Sequence, residues 1–167
     1  MSKHLTFDIL IDKINKTIIV SREFDAELDL VWDAFTTREL LDQWWAPKPW
    51  KAQTKTMNFK EGGKWFYAMA GPIGVAHWVT TNYIVIKPDK KFVSLDAFTD
   101  EDGIVNKQMP QSKREINFID KGQQTLVEIK TIYDDVGDVD VIINTGFREG
   151  ITGSLENLDA LLARLKE

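Results

Sequence analysis

Between Trp50 and Tyr133 the chain alternates β-favouring runs with tight-turn residues, and beyond that stretch its apolar period changes from two to between three and four. Runs at 51–59, 64–70, 75–87, 91–98, 113–119 and 124–133 are separated by Glu61-Gly62-Gly63, Gly71-Pro72-Ile73-Gly74, Pro88-Asp89, Asp100-Glu101-Asp102-Gly103 and Asp120-Lys121-Gly122. Each separator supplies turn chemistry where a hairpin should close, so the middle of the chain reads as an antiparallel meander. Only 103–112 is long enough for a mobile loop. The final stripe, Val139, Ile142, Ile143, Gly146, Phe147, Gly150, Ile151, Ser154, Leu155, Leu158, Leu161, Leu162 and Leu165, predicts one long helix over 138–166 with a single buried face.

Gly146 and Gly150 fall on that stripe and Gly153 beside it, and each costs about 1 kcal/mol relative to alanine in a helix interior. The second half of the stripe is leucine, whereas the first is glycine, phenylalanine and isoleucine. The leucine end is therefore expected to seal a core and the glycine end to border an opening. Close approach of helix to sheet is the competing explanation.

Upstream, residues 5–11 and 17–24 form a hairpin pattern around Asp12-Lys13-Ile14-Asn15-Lys16. Leu28, Val31, Trp32 and Phe35 recur at helical spacing, Thr37 suits the N-cap of a second short helix over 38–45, and Pro47 and Pro49 end it. Trp44, Trp45 and Trp50 crowd that exit, where large rings with one polar N–H suit either a pocket wall or core packing.

With 167 residues, 43% of them hydrophobic and 28% charged, the chain suits one folded domain. A formal charge of -5 argues against nonspecific binding to nucleic acid, which requires many cationic contacts with phosphates. Lys48, Lys51, Lys55, Lys60 and Lys64 cluster locally and read as a solvated strand face. The absence of cysteine removes disulfides, thiol catalysis and thiolate metal sites. Met1 to Asp8 lacks the apolar core of a signal peptide and no run could span a bilayer, so the expectation is a cytoplasmic protein with no integral membrane segment.

No triad, metal-ligand spacing or phosphate-binding glycine loop is present, so no catalytic residue, metal or cofactor is assigned. Alternation after Gly63 puts Trp65, Tyr67 and Met69 on one face and Phe66, Ala68 and Ala70 on the other. The first set is assigned to a cavity, with the Tyr67 hydroxyl as a polar anchor. Trp44, Trp45, Phe147, Gly150 and Ile151 complete its wall, and Met57, Phe59 and Tyr83 extend it. His77, in a strand beside Trp78, is a further ligand-binding candidate because imidazole can bond or titrate near neutrality.

Several segments, in order, carry a family resemblance: Phe24-Asp25-Ala26, Val31-Trp32-Asp33-Ala34-Phe35-Thr36, Leu40-Leu41-Asp42-Gln43-Trp44-Trp45-Ala46-Pro47-Lys48, Glu61-Gly62-Gly63-Lys64-Trp65, Gly71-Pro72-Ile73-Gly74, Asp96-Ala97-Phe98-Thr99-Asp100-Glu101-Asp102-Gly103 and Gly146-Phe147-Arg148-Glu149-Gly150-Ile151-Thr152-Gly153-Ser154-Leu155-Glu156-Asn157-Leu158. This series resembles the homologues of the activator of the ninety-kDa heat-shock chaperone ATPase, within the START-like (SRPBCC) superfamily. The resemblance covers about 18–165, leaving 1–16 as an extra N-terminal strand and turn in a single domain over 1–167. It implies an α+β helix-grip fold of the birch-pollen-allergen type: a curved antiparallel sheet around a long C-terminal helix, with two short helices after the first long strand and a cavity between. Ile151 stands where the family usually has tryptophan or another bulky residue, which implies a larger cavity. Phe66 stands where polar or basic residues are common, which implies an exposed aromatic.

The function expected from residues and resemblance together is binding of a small hydrophobic or aromatic molecule, as carrier or sensor. Two alternatives stay open: a cyclase-, aromatase- or hydrolase-like enzyme using the same cavity, with Tyr67 and His77 as acid and base, and a partner protein that stimulates a chaperone ATPase. The eukaryotic activator joins this type of domain to a separate N-terminal one, which the resemblance does not extend to here. A homodimer through a sheet edge or Phe66 is compatible with any of the three.

Overall fold

The computed structural model describes residues 5–166. Eight strands form one antiparallel sheet: β1 (Phe7–Asp12), β2 (Thr17–Phe24), β3 (Lys51–Met57), β4 (Lys64–Ala70), β5 (Ala76–Lys87), β6 (Lys91–Thr99), β7 (Ser112–Asp120) and β8 (Thr125–Tyr133). Their spatial order is β1-β2-β8-β7-β6-β5-β4-β3, so the meander β3 to β8 closes back onto the N-terminal hairpin through β2. Two short helices, α1 (Leu28–Thr36) and α2 (Arg38–Trp44), join β2 to β3, and α3 (Val136–Asn144) and α4 (Phe147–Leu165) follow β8. This is a helix-grip fold, with α4 lying across the concave face of the sheet.

Register shifts between Thr54 and Thr56 on β3 and between Tyr83 and Val85 on β5 mark bulges, which bend a strand and increase its twist. Thr37 occupies the N-cap of α2 as read, although its hydroxyl makes no capping bond. At the other junction, Asp135 caps α3 by accepting from the Gly137 N–H at 3.1 Å.

The single helix expected over 138–166 is two helices. Gly146 adopts φ +89°, a left-handed conformation that ends α3 and starts α4 in a new direction. Periodicity did not reveal the break, because the steps from Ile143 to Gly146 and Phe147 keep helical spacing across it.

The core lies at the leucine end. Leu155, Leu158, Leu161 and Leu162 of α4 are buried with Trp32, Phe35 and Trp44 from α1 and α2. Trp32 meets Phe59, Phe92 and Phe118 at centroid distances of 5.9, 5.9 and 4.9 Å, all edge-to-face, which is the favourable geometry for ring quadrupoles. Arg22, set against the rings of Phe7 and Phe24, pairs with Asp159 and ties β2 to α4.

Phe66 is not exposed. Only 7% of it is accessible. On the convex face it stacks on Trp78 at 5.0 Å, lies under the Lys55 ammonium and meets the turn at Gly103. The 103–112 segment is likewise anchored: Val105 bridges to Thr99 and Pro110 is buried. Phe66 therefore offers no docking surface, and the aromatic at this position holds down a hairpin loop.

Candidate functional site: a cavity between sheet and helix

At the glycine end of α4 the sheet and helix separate around a cavity of about 290 Å³. That volume corresponds to roughly ten liquid waters. Phe147, Gly150, Ile151 and Ser154 of α4 and Ile142 of α3 form one wall. Tyr67, Met69, Val79, Asp96, Phe98, Ser112, Arg114 and Tyr133 rise from β4 to β8 as the other, with Trp45, Pro47 and Pro110 closing the ends. A wider hollow of about 570 Å³ at the α1 end is bordered by Asp25, Glu27, Asp29, Asp33 and Lys166, charges that favour water over an apolar guest.

Of the residues singled out from sequence, Trp45, Tyr67, Met69, Phe147, Gly150 and Ile151 meet at this cavity. Trp44 and Trp65 do not line it. Trp44 is 1% exposed, and its indole N–H donates to the Ala34 carbonyl at 2.8 Å, so it is a core residue. Trp65 lies behind the wall, stacked on Tyr67 with centroids 3.9 Å apart. Its N–H donates to Thr54 Oγ1 at 2.9 Å, and Thr54 in turn donates from Oγ1 and backbone N–H to Asp42 Oδ1 at 2.6 and 3.0 Å. These bonds fix α2 to β3 and hold the plane against which Tyr67 rests.

His77 lies outside the lining. It pairs with Met69 across β4 and β5 and therefore shares the concave face, but at the strand end, exposed and against Trp50 at 5.3 Å. Trp50 also packs over Gly71, where a Cβ would meet its ring at 2.9 Å. Tyr67 and His77 are thus not assembled as an acid–base pair. Phe59 and Tyr83 join the aromatic core instead, 4.8 Å apart, and Met57 packs at its margin.

The α4 glycines divide the two explanations between them. At Gly150 a Cβ would touch only Pro47 Cγ, at 4.0 Å, so there the missing side chain is cavity space. A Cβ at Gly153 would come within 3.2 Å of Pro47 Cβ, so there glycine serves the close approach of helix to the 45–47 segment. The 45–47 segment is also pinned by hydrogen bonds: Ser154 Oγ donates to the Trp45 carbonyl at 3.0 Å, and Asn157 Nδ2 to that of Ala46 at 3.0 Å.

The polar residues of the wall, apart from Tyr67, were missed from sequence. Arg114 Nε lies 3.1 Å from Asp96 Oδ2, and Ser94 Oγ donates to Asp96 Oδ1 at 3.1 Å. The Arg114 guanidinium also sits 5.2 Å from the Trp45 ring centroid, and the Trp45 N–H donates to the Tyr67 hydroxyl at 2.9 Å. Burial works against the arginine's charge, but Asp96, with smaller contributions from Tyr67, Tyr133 and Tyr83, outweighs it and holds Arg114 above its ordinary pKa. Desolvation pushes all three tyrosines up, Tyr133 to about 12, so they remain neutral phenols. The available signal was parity: Asp96 alternates in step with Phe92 and Phe98, and Arg114 with Ile116 and Phe118, which places a charge at inward positions.

With this geometry in place, the comparisons with known proteins are decisive for family. The model of the Activator of Hsp90 ATPase homolog 1-like protein family matches residues 25–163. The chain belongs to this family. Among solved structures, a protein from Arthrobacter aurescens superposes with a TM-score of 0.89 at 24% identity, covering 94% of this chain and 91% of that one. One from Mycobacterium smegmatis gives 0.86 at 24% identity, covering 95% and 97%. The AHSA1 protein from Silicibacter pomeroyi gives 0.72 at 21% identity, covering 90% and 99%. At these identities the likeness establishes the shared fold. No curated protein matches the chain. No helix among the described residues is long and apolar enough to cross a membrane.

Proposed function

We propose that this family member binds a small, mainly apolar molecule, with an aromatic ring or similar flat body, in the cavity between the sheet and α4. The observation that carries the reading is the convergence of Trp45, Met69, Phe98, Phe147 and Ile151 on a space that Gly150 leaves unfilled. Apolar walls with a few placed polar groups are the common make-up of small-molecule sites. A volume of about 290 Å³ is at the low end for such sites, which favours a guest of one or two rings over a sterol or a long-chain lipid.

The test is calorimetric and fluorimetric titration with one- and two-ring aromatic compounds, together with native mass spectrometry of the protein as purified. Binding should change the emission of Trp45, and Trp45→Phe should both remove that response and weaken affinity, because the indole forms part of the wall. Absence of binding across the series, with no retained mass on the purified protein, would rule the reading out.

A further inference from the structure

The cavity is not uniformly apolar, and its polar groups gather on the β6–β7 side. Arg114 carries five N–H donors. Its Nε lies 3.1 Å from Asp96 Oδ2 as an ion pair, and among the described residues neither of its Nη groups has a hydrogen-bond acceptor. The side chain keeps 21% of its surface accessible, and it lines the cavity. The Tyr67 oxygen already accepts from Trp45, so its own O–H is left to donate into the same space.

The acceptor side of this pole is closed. Asp96 is 5% exposed, with Oδ1 accepting from Ser94 and Oδ2 buried 3.1 Å from Arg114 Nε, an ion pair in which Oδ2 accepts no hydrogen bond from the described residues. A guest therefore meets donors: the Nη edge of a guanidinium and a phenol. Asp96 orients the guanidinium by its Nε edge and leaves the Nη edge free, and that edge matches a carboxylate with two parallel bonds. The Trp45 ring, against which the guanidinium rests, extends from this pole to the apolar wall.

Resting on the binding function proposed above, we propose that the ligand is a small aromatic carboxylic acid, with its carboxylate on Arg114 and Tyr67 and its ring against Trp45, Phe98 and Phe147. An acid of this class gains charge-assisted hydrogen bonds inside a low-dielectric cavity, where unmet donors are otherwise costly. Its hydrocarbon counterpart would leave them unmet.

Isothermal titration calorimetry with cinnamate, cinnamyl alcohol, cinnamylamine and β-methylstyrene tests the assignment, because the four share one carbon skeleton and differ in the head group. Cinnamate should bind at least tenfold more tightly than the alcohol or the hydrocarbon, and the amine most weakly. In the double variant Asp96→Asn/Arg114→Gln, which removes both charges together, the advantage of cinnamate over β-methylstyrene should vanish. Equal or tighter binding of the alcohol or hydrocarbon by the unaltered protein would overturn the assignment and leave the cavity function standing. So would a cinnamate preference that survives in the double variant. Failure of all four compounds to bind would remove both. The series on the unaltered protein decides the matter even where the variant does not fold.

Discussion

Ser154 in the middle of α4 donates its hydroxyl to the backbone carbonyl of Trp45 at 3.0 Å, so the helix that bounds the cavity also holds its aromatic wall in place. The same helix turn carries Gly153, pressed on Pro47, and Asn157, bonded to Ala46. Ser154→Ala should lower stability by about 1 kcal/mol through loss of this bond. Urea unfolding would measure the loss, and acrylamide quenching of Trp45 should rise in the folded variant.

Gly150 and Gly153 should respond in opposite ways to an added side chain. Gly150→Leu places its side chain in the cavity, so it should leave the fold intact, weaken binding of aromatic guests at least tenfold and change stability little. Gly153→Ala gains about 1 kcal/mol of helix propensity but brings its Cβ to 3.2 Å from Pro47 Cβ, and overpacking of about 1–3 kcal/mol there should leave a net loss of up to about 2 kcal/mol. Thermal melts and titration of the two variants side by side would separate cavity space from close packing. Unfolding of Gly150→Leu would mean that the glycine end is packed rather than hollow.

Alkaline pH should unfold the protein through its tyrosines. The chain has 3 tyrosines, Tyr67, Tyr83 and Tyr133, and all are buried with folded-state pKa values raised by desolvation. Above the unfolded value near 10 the unfolded chain releases these protons while the folded one retains them, so stability is intact below pH ~10 and falls as pH rises. Each unit of pH that a phenol resists is worth about 1.4 kcal/mol. Tyrosinate absorbance and circular dichroism should therefore change together in one cooperative step. A gradual absorbance rise before any loss of structure would contradict the enclosed state of these groups.

Breaking the Asp96–Arg114 pair from one side should be costly. Arg114→Gln leaves the buried Asp96 carboxylate without its counter-ion and should lose about 3–5 kcal/mol. Adding Asp96→Asn removes the stranded charge and should recover most of that loss, since Ser94 can still bond the amide oxygen. Denaturant melts of the single and double variants give the coupling directly, and equal stabilities of the two would show that the pair is solvated.

Which of two adjacent indoles would face the cavity was not legible from sequence. Trp44 and Trp45 are chemically identical, and the difference lies in direction: one side chain at the end of α2 points to Ala34 in the core and the next to Tyr67. Trp65 was placed on the correct face but one layer too shallow, because alternation gives the face of a strand and not what stands between it and the solvent. His77 failed for a related reason. It shares the face of Met69, yet the sheet at that point extends beyond the helices that would enclose it.

The succession of strands along the chain, the turns between them and the leucine seal of α4 were determined by the sequence alone, since each follows from local period and turn chemistry over a few residues, whereas the pairing of β2 with β8 was decided by the tertiary structure. Family membership was legible in the same way, through short motifs in fixed order. The break at Gly146, the burial of Phe66 beneath the turn at Gly103 and the meeting of Asp96 with Arg114 were decided only in the tertiary structure. Each of these depends on where distant segments come to rest, which is set by strand register, bulges and helix direction acting together, and no local pattern encodes that sum.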